Sequence, residues 1–555
     1  MCQLSGNFLF SFRPEIKEYS GNLGEPVSVD WSEDLEGGKA VRVFGIFDKL
    51  SYKFRKAFGV DSVKYSLSTA HCSLNYEGGV FTNIHFLIQS IGRRVPVIKP
   101  FNFRDVQEPV ALQEQKEIFL LPTVQVCNLL QTDIHVLLTE KHPDLCITTG
   151  GENIGKQATL RCGSSSNLYA NPAVIYFRIT LTAFNSTCKP VNSGDWVKKL
   201  QKQKNDVHYL DIDLDFNGGK FFASLRLSRG ERGILEATIY TPYTLHNGTD
   251  LTLFCFQPFQ NRLSREGVLK FGFDLPPQLG LLLPPRSSRS WLFKSNKVHL
   301  KLLEENASEA LLDLDVLSGF TEVCLEVEER TDIKRIAKLG LSLKPCPSGV
   351  VVPSQVVSMV PRYVIFNESL QDIIVRQCYL EDHTDDVIDI NSNETVALQL
   401  IRPSKRKDFS FFDSLLRKHR NANDDSQMFI QFRLNEDGWS WSGPVCIGSL
   451  GRFFLKFRRS MDSLDYQSNS ITVEGNRTTE FAAVHLVEEG STLVLHFHKP
   501  PNVNLPYRIE NLLDARITYY QKNSLESEVI GPGKSVDYVW DDLNLPHKLI
   551  IQISG

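Results

Sequence analysis

Few side-chain groupings in this 555-residue chain have the types and spacing for chemistry. His496 and His498 in "LHFHKPP" stand two apart, which on a strand puts both imidazoles on one face. Such a pair holds a metal only with further ligands, and none stands nearby in sequence, so no metal and no cofactor is expected. Asp211, Asp213 and Asp215 in "DIDLDF" share one strand face. They read as a solvated face, because a calcium site needs a loop that wraps the ion. There is no GxSxG elbow, no P-loop, no HExxH and no dinucleotide fingerprint, so catalysis is not expected.

What remains is recognition chemistry. Trp439 and Trp441 alternate in "GWSWSGPVCI" and are expected on opposite sides of one strand, one in a core and the other at an edge. An edge tryptophan is a candidate for gripping the rings of a proline-containing peptide. The stretch Arg402 to Asp425, "RPSKRKDFSFFDSLLRKHRNANDD", carries Lys405, Arg406, Lys407, Arg417, Lys418 and Arg420 with phenylalanines between them. It reads as a solvated loop, with contact to an anionic membrane as the sharper alternative. Its "DSLLRKHR" is the best short helix candidate in the chain.

The elements that position such groups are legible through a repeat. "YTLHN" ends at Asn247, "YVIFN" at Asn367 and "YRIEN" at Asn511, while "VQVCN" ends at Asn128 with Val124 in place of the tyrosine. An aliphatic residue lies two before each asparagine (Val126, Leu245, Ile365, Ile509) and another six after it (Ile134, Leu253, Ile373, Ile517). Each motif therefore reads as two half-buried strands with an asparagine corner between them, since Asn closes Asx-turns and is poor within strands. The corner has a structural role in satisfying local backbone groups. The functional reading is that its amide fixes a loop beside an exposed strand edge where an extended peptide docks. A further alternating strand follows each corner, in "VIYFRITL", "KVHLKLL", "MFIQFRL" and "KLIIQIS". Turns rich in Gly, Pro, Asn and Ser separate these strands, and long helical periodicities are scarce. The expected architecture is all-β: tandem β-sandwich repeats of about 120 residues in an elongated array.

The expected division is residues 1–119 as a degenerate or upstream β module, 120–238 and 239–358 as β-sandwich repeats, 359–502 as a repeat with the basic insertion 402–425, and 503–555 as a shortened repeat. The last portion is too short to bury a sandwich core alone, so the chain is expected to be a piece of a longer protein or a gene model cut short. The formal net charge of −4 lacks the basic footprint of a nucleic-acid partner. No apolar run is long enough for a transmembrane helix, and "MCQLSGNFLFSF" does not read as a secretory signal. The 11 cysteines, odd in number and without a CxxC pair, fit a reducing compartment. Six Asn-x-Ser/Thr sequons begin at Asn185, Asn247, Asn306, Asn367, Asn393 and Asn476, but glycosylation is not expected without that signal.

Three blocks carry a family resemblance: "PYRIEN" followed by "YYQ" and "YVWDDLNLP", then "GWSWSGPVCI", then "PRYVIFNES". In these the chain resembles the adaptor-binding region, also called the SHR-binding domain in plant members, of the vacuolar protein sorting-associated protein 13 family. The resemblance implies a row of β-sandwich repeats, six in complete members, within bridge-like lipid-transfer proteins at organelle contact sites. It implies adaptor partners bearing short Pro-x-Pro motifs, a transcription regulator as partner in plant members, and no catalysis. The expected location is cytoplasmic, peripheral at Golgi, endosome or vacuole membranes. By position, Asn128, Asn247, Asn367 and Asn511 carry over as the repeat asparagines. Only four such sites are visible here. The alternatives from other classes are a tandem extracellular adhesion or lectin-like β array, and a hydrolase in an unfamiliar all-β fold.

Overall fold

The computed structural model describes residues 64–75, 81–96, 112–140, 155–171, 175–192, 207–216, 219–230, 233–257, 280–304, 306–315, 320–330, 333–348, 351–378, 387–403, 428–459, 478–499 and 505–553. Apart from the 3-10 turn Thr182–Phe184, every regular element among them is a β-strand. The all-β expectation is therefore met.

The described chain begins with an antiparallel meander of β1 (Lys64–Asn75), β2 (Phe81–Pro96) and β3 (Leu112–Pro122). Ten strands follow around Asn128: β4 (Val124–Asn128), β5 (Ile134–Thr139), β6 (Gln157–Leu160), β7 (Ser165–Leu168), β8 (Tyr176–Leu181), β9 (Ser186–Cys188), β10 (Val191–Asn192), β11 (His208–Phe216), β12 (Gly219–Arg229) and β13 (Leu235–Tyr240). Around Asn247 lie β14 (Tyr243–Asn247), β15 (Leu253–Phe256), β16 (Leu281–Leu283), β17 (Ser287–Ser290), β18 (Lys297–Leu302), β19 (Glu309–Asp313), β20 (Phe320–Arg330), β21 (Ile333–Pro345) and β22 (Gln355–Pro361). Around Asn367 lie β23 (Tyr363–Asn367), β24 (Ile373–Gln377), β25 (Val387–Ile390), β26 (Thr395–Ala397), β27 (Leu400–Pro403), β28 (Phe429–Leu434), β29 (Val445–Cys446), β30 (Gly451–Arg459), β31 (Thr478–Glu489) and β32 (Thr492–His498). The last set is β33 (Tyr507–Glu510), β34 (Ile517–Gln521), β35 (Glu528–Ile530), β36 (Ser535–Tyr538) and β37 (Leu549–Ile553).

One plan runs through these sets. The strand that leads into the asparagine pairs antiparallel with a short edge strand: β4 with β7, β14 with β17, β23 with β26 and β33 with β36. On its other side β4 takes β13, β14 takes β22 and β23 takes β32, each in parallel register. Those parallel partners are the third strands of meanders (β11–β13, β20–β22, β30–β32) built like β1–β3. The strand after the corner starts a second sheet, as β15 does with β16 and β18, and β24 with β25 and β28. The core lies between the two sheets. Leu245 and Val357 of one meet Leu253, Leu283 and Val298 of the other, all at most 1% exposed. Alternation of buried and half-buried residues along strands such as Val124–Asn128 is the physical origin of the two-layer arrangement.

The sets are coupled closely. One residue, Thr123, separates β3 from β4, Thr241 and Pro242 separate β13 from β14, and Arg362 separates β22 from β23. The Arg362 guanidinium reaches Glu322 (3.3 Å) behind it and Glu488 (3.2 Å) ahead. Strand β27 leaves its own set and pairs with β21 of the preceding one, and Ile336 of β21 joins the core around Ile365 and Phe432. Arg402 and Pro403, expected to open the basic insertion, stand in β27, whereas residues 404–427 with the helix candidate lie outside the described residues. A Cβ at Gly340 would fall 2.0 Å from the Ser491 carbonyl oxygen, so only glycine allows these backbones to approach. Gly340→Ala is therefore expected to destabilise the protein by about 2 kcal/mol through overpacking, read from urea unfolding, with Gly448→Ala, which has open surroundings, near wild type.

Candidate functional site

The four expected asparagines occupy one repeated site. Asn128, Asn247 and Asn367 are 0% exposed and Asn511 is 2% exposed. In each, Nδ2 donates to the carbonyl four residues on: Thr132 (2.9 Å), Leu251 (2.7 Å), Gln371 (2.8 Å) and Ala515 (2.9 Å). The same amide donates across the sandwich, to the carbonyls of Leu160 (3.1 Å), at the far end of the continuous ten-stranded sheet that also holds Asn128, and of Leu283 (3.2 Å), Ile390 (3.3 Å) and Ile530 (3.1 Å) in the second sheets of the later sets. Oδ1 accepts from the N–H two residues on, at Leu130, Thr249, Ser369 and Leu513. Both ends of the carboxamide are thus committed to backbone. A buried amide in this setting closes the corner and staples the two layers.

The corner also sets an edge strand. The Asn128, Asn367 and Asn511 N–H groups donate to the carbonyls of Ser164, Glu394 and Lys534, which directly precede β7, β26 and β36. The preceding residue donates back in each case, from Gly163, Asn393 and Gly533. Those three residues and Arg286 before β17 have φ between 55° and 71°, a left-handed turn that suits Gly and Asn. The asparagine therefore holds an edge strand that, among the described residues, pairs on one side only.

Two sequons are these corners. Thr249 and Ser369 donate their hydroxyls to Asn247 Oδ1 (2.7 Å) and Asn367 Oδ1 (2.6 Å). Asn185, Asn306 and Asn393 are left-handed turn residues. Asn476 lies outside the described residues. Turn chemistry accounts for the five described sequons.

Trp439 is buried in the core with Phe432 and Phe457. Trp441 is half-buried, with the guanidiniums of Arg376 and Arg433 at 4.1 and 5.0 Å from its ring centre. Residues two apart share a face of a regular strand. The two rings separate here because the chain makes only an isolated bridge at Trp439 and is irregular from Ser440 to Pro444. Lys405, Arg406, Lys407, Arg417, Lys418 and Arg420 lie outside the described residues. Asp211, Asp213 and Asp215 are exposed on β11. His496 and His498 each place Nδ1 2.5 Å from one oxygen of Glu368. Among the described residues no His, Cys, Asp or Glu group is arranged to hold a metal.

Two further features matter. At the end of β36 an aromatic cluster joins Tyr507 (46% exposed), Tyr538, Trp540 and His547, with Tyr507–Trp540 at 5.5 Å and Trp540–His547 stacked at 5.0 Å. Only the neighbouring "PYRIEN" and "YVWDDLNLP" blocks signal it in sequence. An ion-pair network docks the last set on the one before. Lys456 and Arg458 of β30 reach Glu528 (2.5 and 3.0 Å) and Asp541, and the Tyr519 hydroxyl donates to Glu528. Burial raises the Glu528 carboxyl, but the adjacent Lys456 charge, with Tyr519 and Arg458, outweighs it and holds the group below its usual range.

Residues 82–545 match the family model of the vacuolar-sorting associated protein 13 adaptor binding domain. The chain is also similar to intermembrane lipid transfer proteins of Dictyostelium discoideum. It is 22% identical to vps13D over 194 residues (35% of this chain, 4% of the relative). It is 23% identical to vps13A over 364 residues (60% and 10%), and 25% identical to vps13B over 201 residues (36% and 3%). The chain thus spans a tenth or less of the length of these relatives.

Asn367→Ala strips partners from several buried backbone groups at once and is expected to cost about 3 kcal/mol in urea unfolding, against about 1 kcal/mol for Ser369→Ala. The Glu528 network predicts a pH effect of definite sign. A carboxyl with a depressed folded-state pKa contributes stability that is fully present above its unfolded value, 4.5, and is lost as pH falls through the folded one. Hydrogen exchange of β34 should therefore accelerate selectively as pH falls below 4.5, and Glu528→Gln should already exchange fast at neutral pH.

Proposed function

The chain belongs to the vacuolar-sorting associated protein 13 adaptor binding domain family, and from that membership we propose that it selects membranes for a bridge-like intermembrane lipid transfer protein. It does so by binding adaptor proteins through short Pro-x-Pro segments, without catalysis. The array divides into units at 120–238, 239–358, 359–502 and 503–555, and it brings the lipid-transfer machinery to Golgi, endosome or vacuole membranes as a peripheral component.

The observation that carries this reading is β36. Asn511 holds the turn before it, and β36 pairs with β33 on one side only among the described residues. In an antiparallel pair, main-chain groups point alternately toward and away from the partner. Bonding of the Asn511 N–H to the Lys534 carbonyl places the outward set at Ser535 and Asp537. An extended peptide adds to such an edge through its main chain. The Tyr507–Trp540–His547 cluster lies at the end of the same strand and offers flat apolar rings to proline, which is already extended before binding. Because the Asn511 amide is fully used inside the corner, its role is to hold the edge rather than touch the ligand.

Asn511→Ser should leave a folded chain that binds a Pro-x-Pro adaptor peptide about tenfold more weakly, a change of about 1.4 kcal/mol. Trp540→Ala should weaken the same peptide while leaving the urea midpoint close to wild type. Equal affinity of Asn511→Ser and wild type, measured by calorimetry in the full chain, overturns the reading.

A further inference from the structure

The joint between the first two asparagine sets is made by a side-chain contact for which the next joint has no equivalent hydroxyl. At the first joint the corner loop after Asn128 meets the edge strand β17 of the next set, and the Gln131 N–H donates to Ser290 Oγ at 2.9 Å. Gln131 stands three after its asparagine, and Ser290 is the cross-strand partner of Thr244, three before Asn247. The equivalent positions at the next joint are Asp250, three after Asn247, and Ala397, the partner of Val364, three before Asn367. Alanine has no hydroxyl to accept the bond. The second joint holds an open groove of about 290 Å³ lined by Asp250, Leu251, Leu339, Pro361, Val396 and Ala397.

The groove has a main-chain wall. Strand β26 is outermost in its sheet. The Leu398 N–H donates to Tyr363 and the Asn367 N–H to Glu394, so alternation turns the N–H and C=O groups of Thr395 and Ala397 away from β23. Both residues line the groove. The rim is acidic in balance. Lys338 is committed to Glu322 (2.9 Å) and Asp250 to Arg286 (3.0 Å). Glu394 accepts from Asn391 and has no cationic partner among the described residues.

We propose that this joint is a second peptide site, separate from β36, which takes an extended segment along β26 with an apolar side chain in the groove and a basic side chain at Glu394. Outward main-chain groups select an extended chain over a compact small molecule, and the unpaired carboxylate selects its charge. Ala397→Ser adds to the groove wall a hydroxyl like the one at the first joint and narrows the site.

The test uses the full chain and a fluorescein-labelled, end-capped octapeptide of alternating Val and Lys, followed by anisotropy. Wild type should bind, Ala397→Ser should bind about tenfold more weakly with an unchanged or higher melting temperature, and Glu394→Gln should flatten the salt dependence. Asn511→Ser should leave the affinity unchanged, which separates this site from the one at β36. No binding to wild type, equal binding by Ala397→Ser, or a loss that follows Asn511→Ser instead overturns the proposal.

Discussion

A primary carboxamide buried at a chain reversal is the constraint on which this molecule depends. A strand that ends and crosses to a second sheet leaves carbonyls and N–H groups without ladder partners, and in a core none finds water. Asparagine supplies two donors and an acceptor on a one-carbon stem, which fits that deficit with little side-chain entropy to lose. The same residue's main chain pins the left-handed turn before the edge strand. One amide therefore sets the end of the first strand, the start of the second sheet and the register of the edge. Thr249 and Ser369 strengthen two corners with a hydroxyl, while Leu130 and Leu513 at the same position contribute only their N–H groups.

The corners make sets, and three different devices join them. Between the first two, Gln131 meets Ser290 and the Phe222 N–H meets the Leu292 carbonyl. Between the next two, β27 crosses over, Arg362 clamps acids on both sides and Gly340 allows backbone contact. The last joint is ionic and mostly buried. Such a network is intolerant of losing one member, because the survivor becomes a buried unpaired charge. The repeated unit is a way of making corners, and the joints carry the individuality of this chain.

Much of the fold was legible because the corner demands a rare residue at a fixed place between aliphatic positions two before and six after it. Spacing alone therefore revealed the strands on either side of Asn128, Asn247, Asn367 and Asn511, and the all-β class followed. What was not legible had no local signature. Strand β27 reads like any short apolar run, and its partner lies in an earlier set. Lys456 and Arg458 in "FLKFRR" look like surface cations until Glu528 and Asp541, some 70 and 80 residues on, are brought against them. Trp439 and Trp441 do part company, but through a break in the strand rather than through alternation. The edge strands β26 and β36 are short and half polar, and nothing in "TVA" or "SVDY" announces an open ladder.

The hydroxyl-reinforced corners also bear on where this fold can be made. Asn247-Gly248-Thr249 and Asn367-Glu368-Ser369 are sugar-acceptor sequences whose amides are sealed in the folded protein but open on a nascent chain. Were the chain threaded into a glycosylating lumen, transfer to either amide would add a bulky polar group to the one nitrogen that must donate into the core. The folding solution and the oligosaccharide reaction compete for the same atom. Two of the four corners would then be lost before they could close, because the amide nitrogen that holds the sheets together would already carry the sugar.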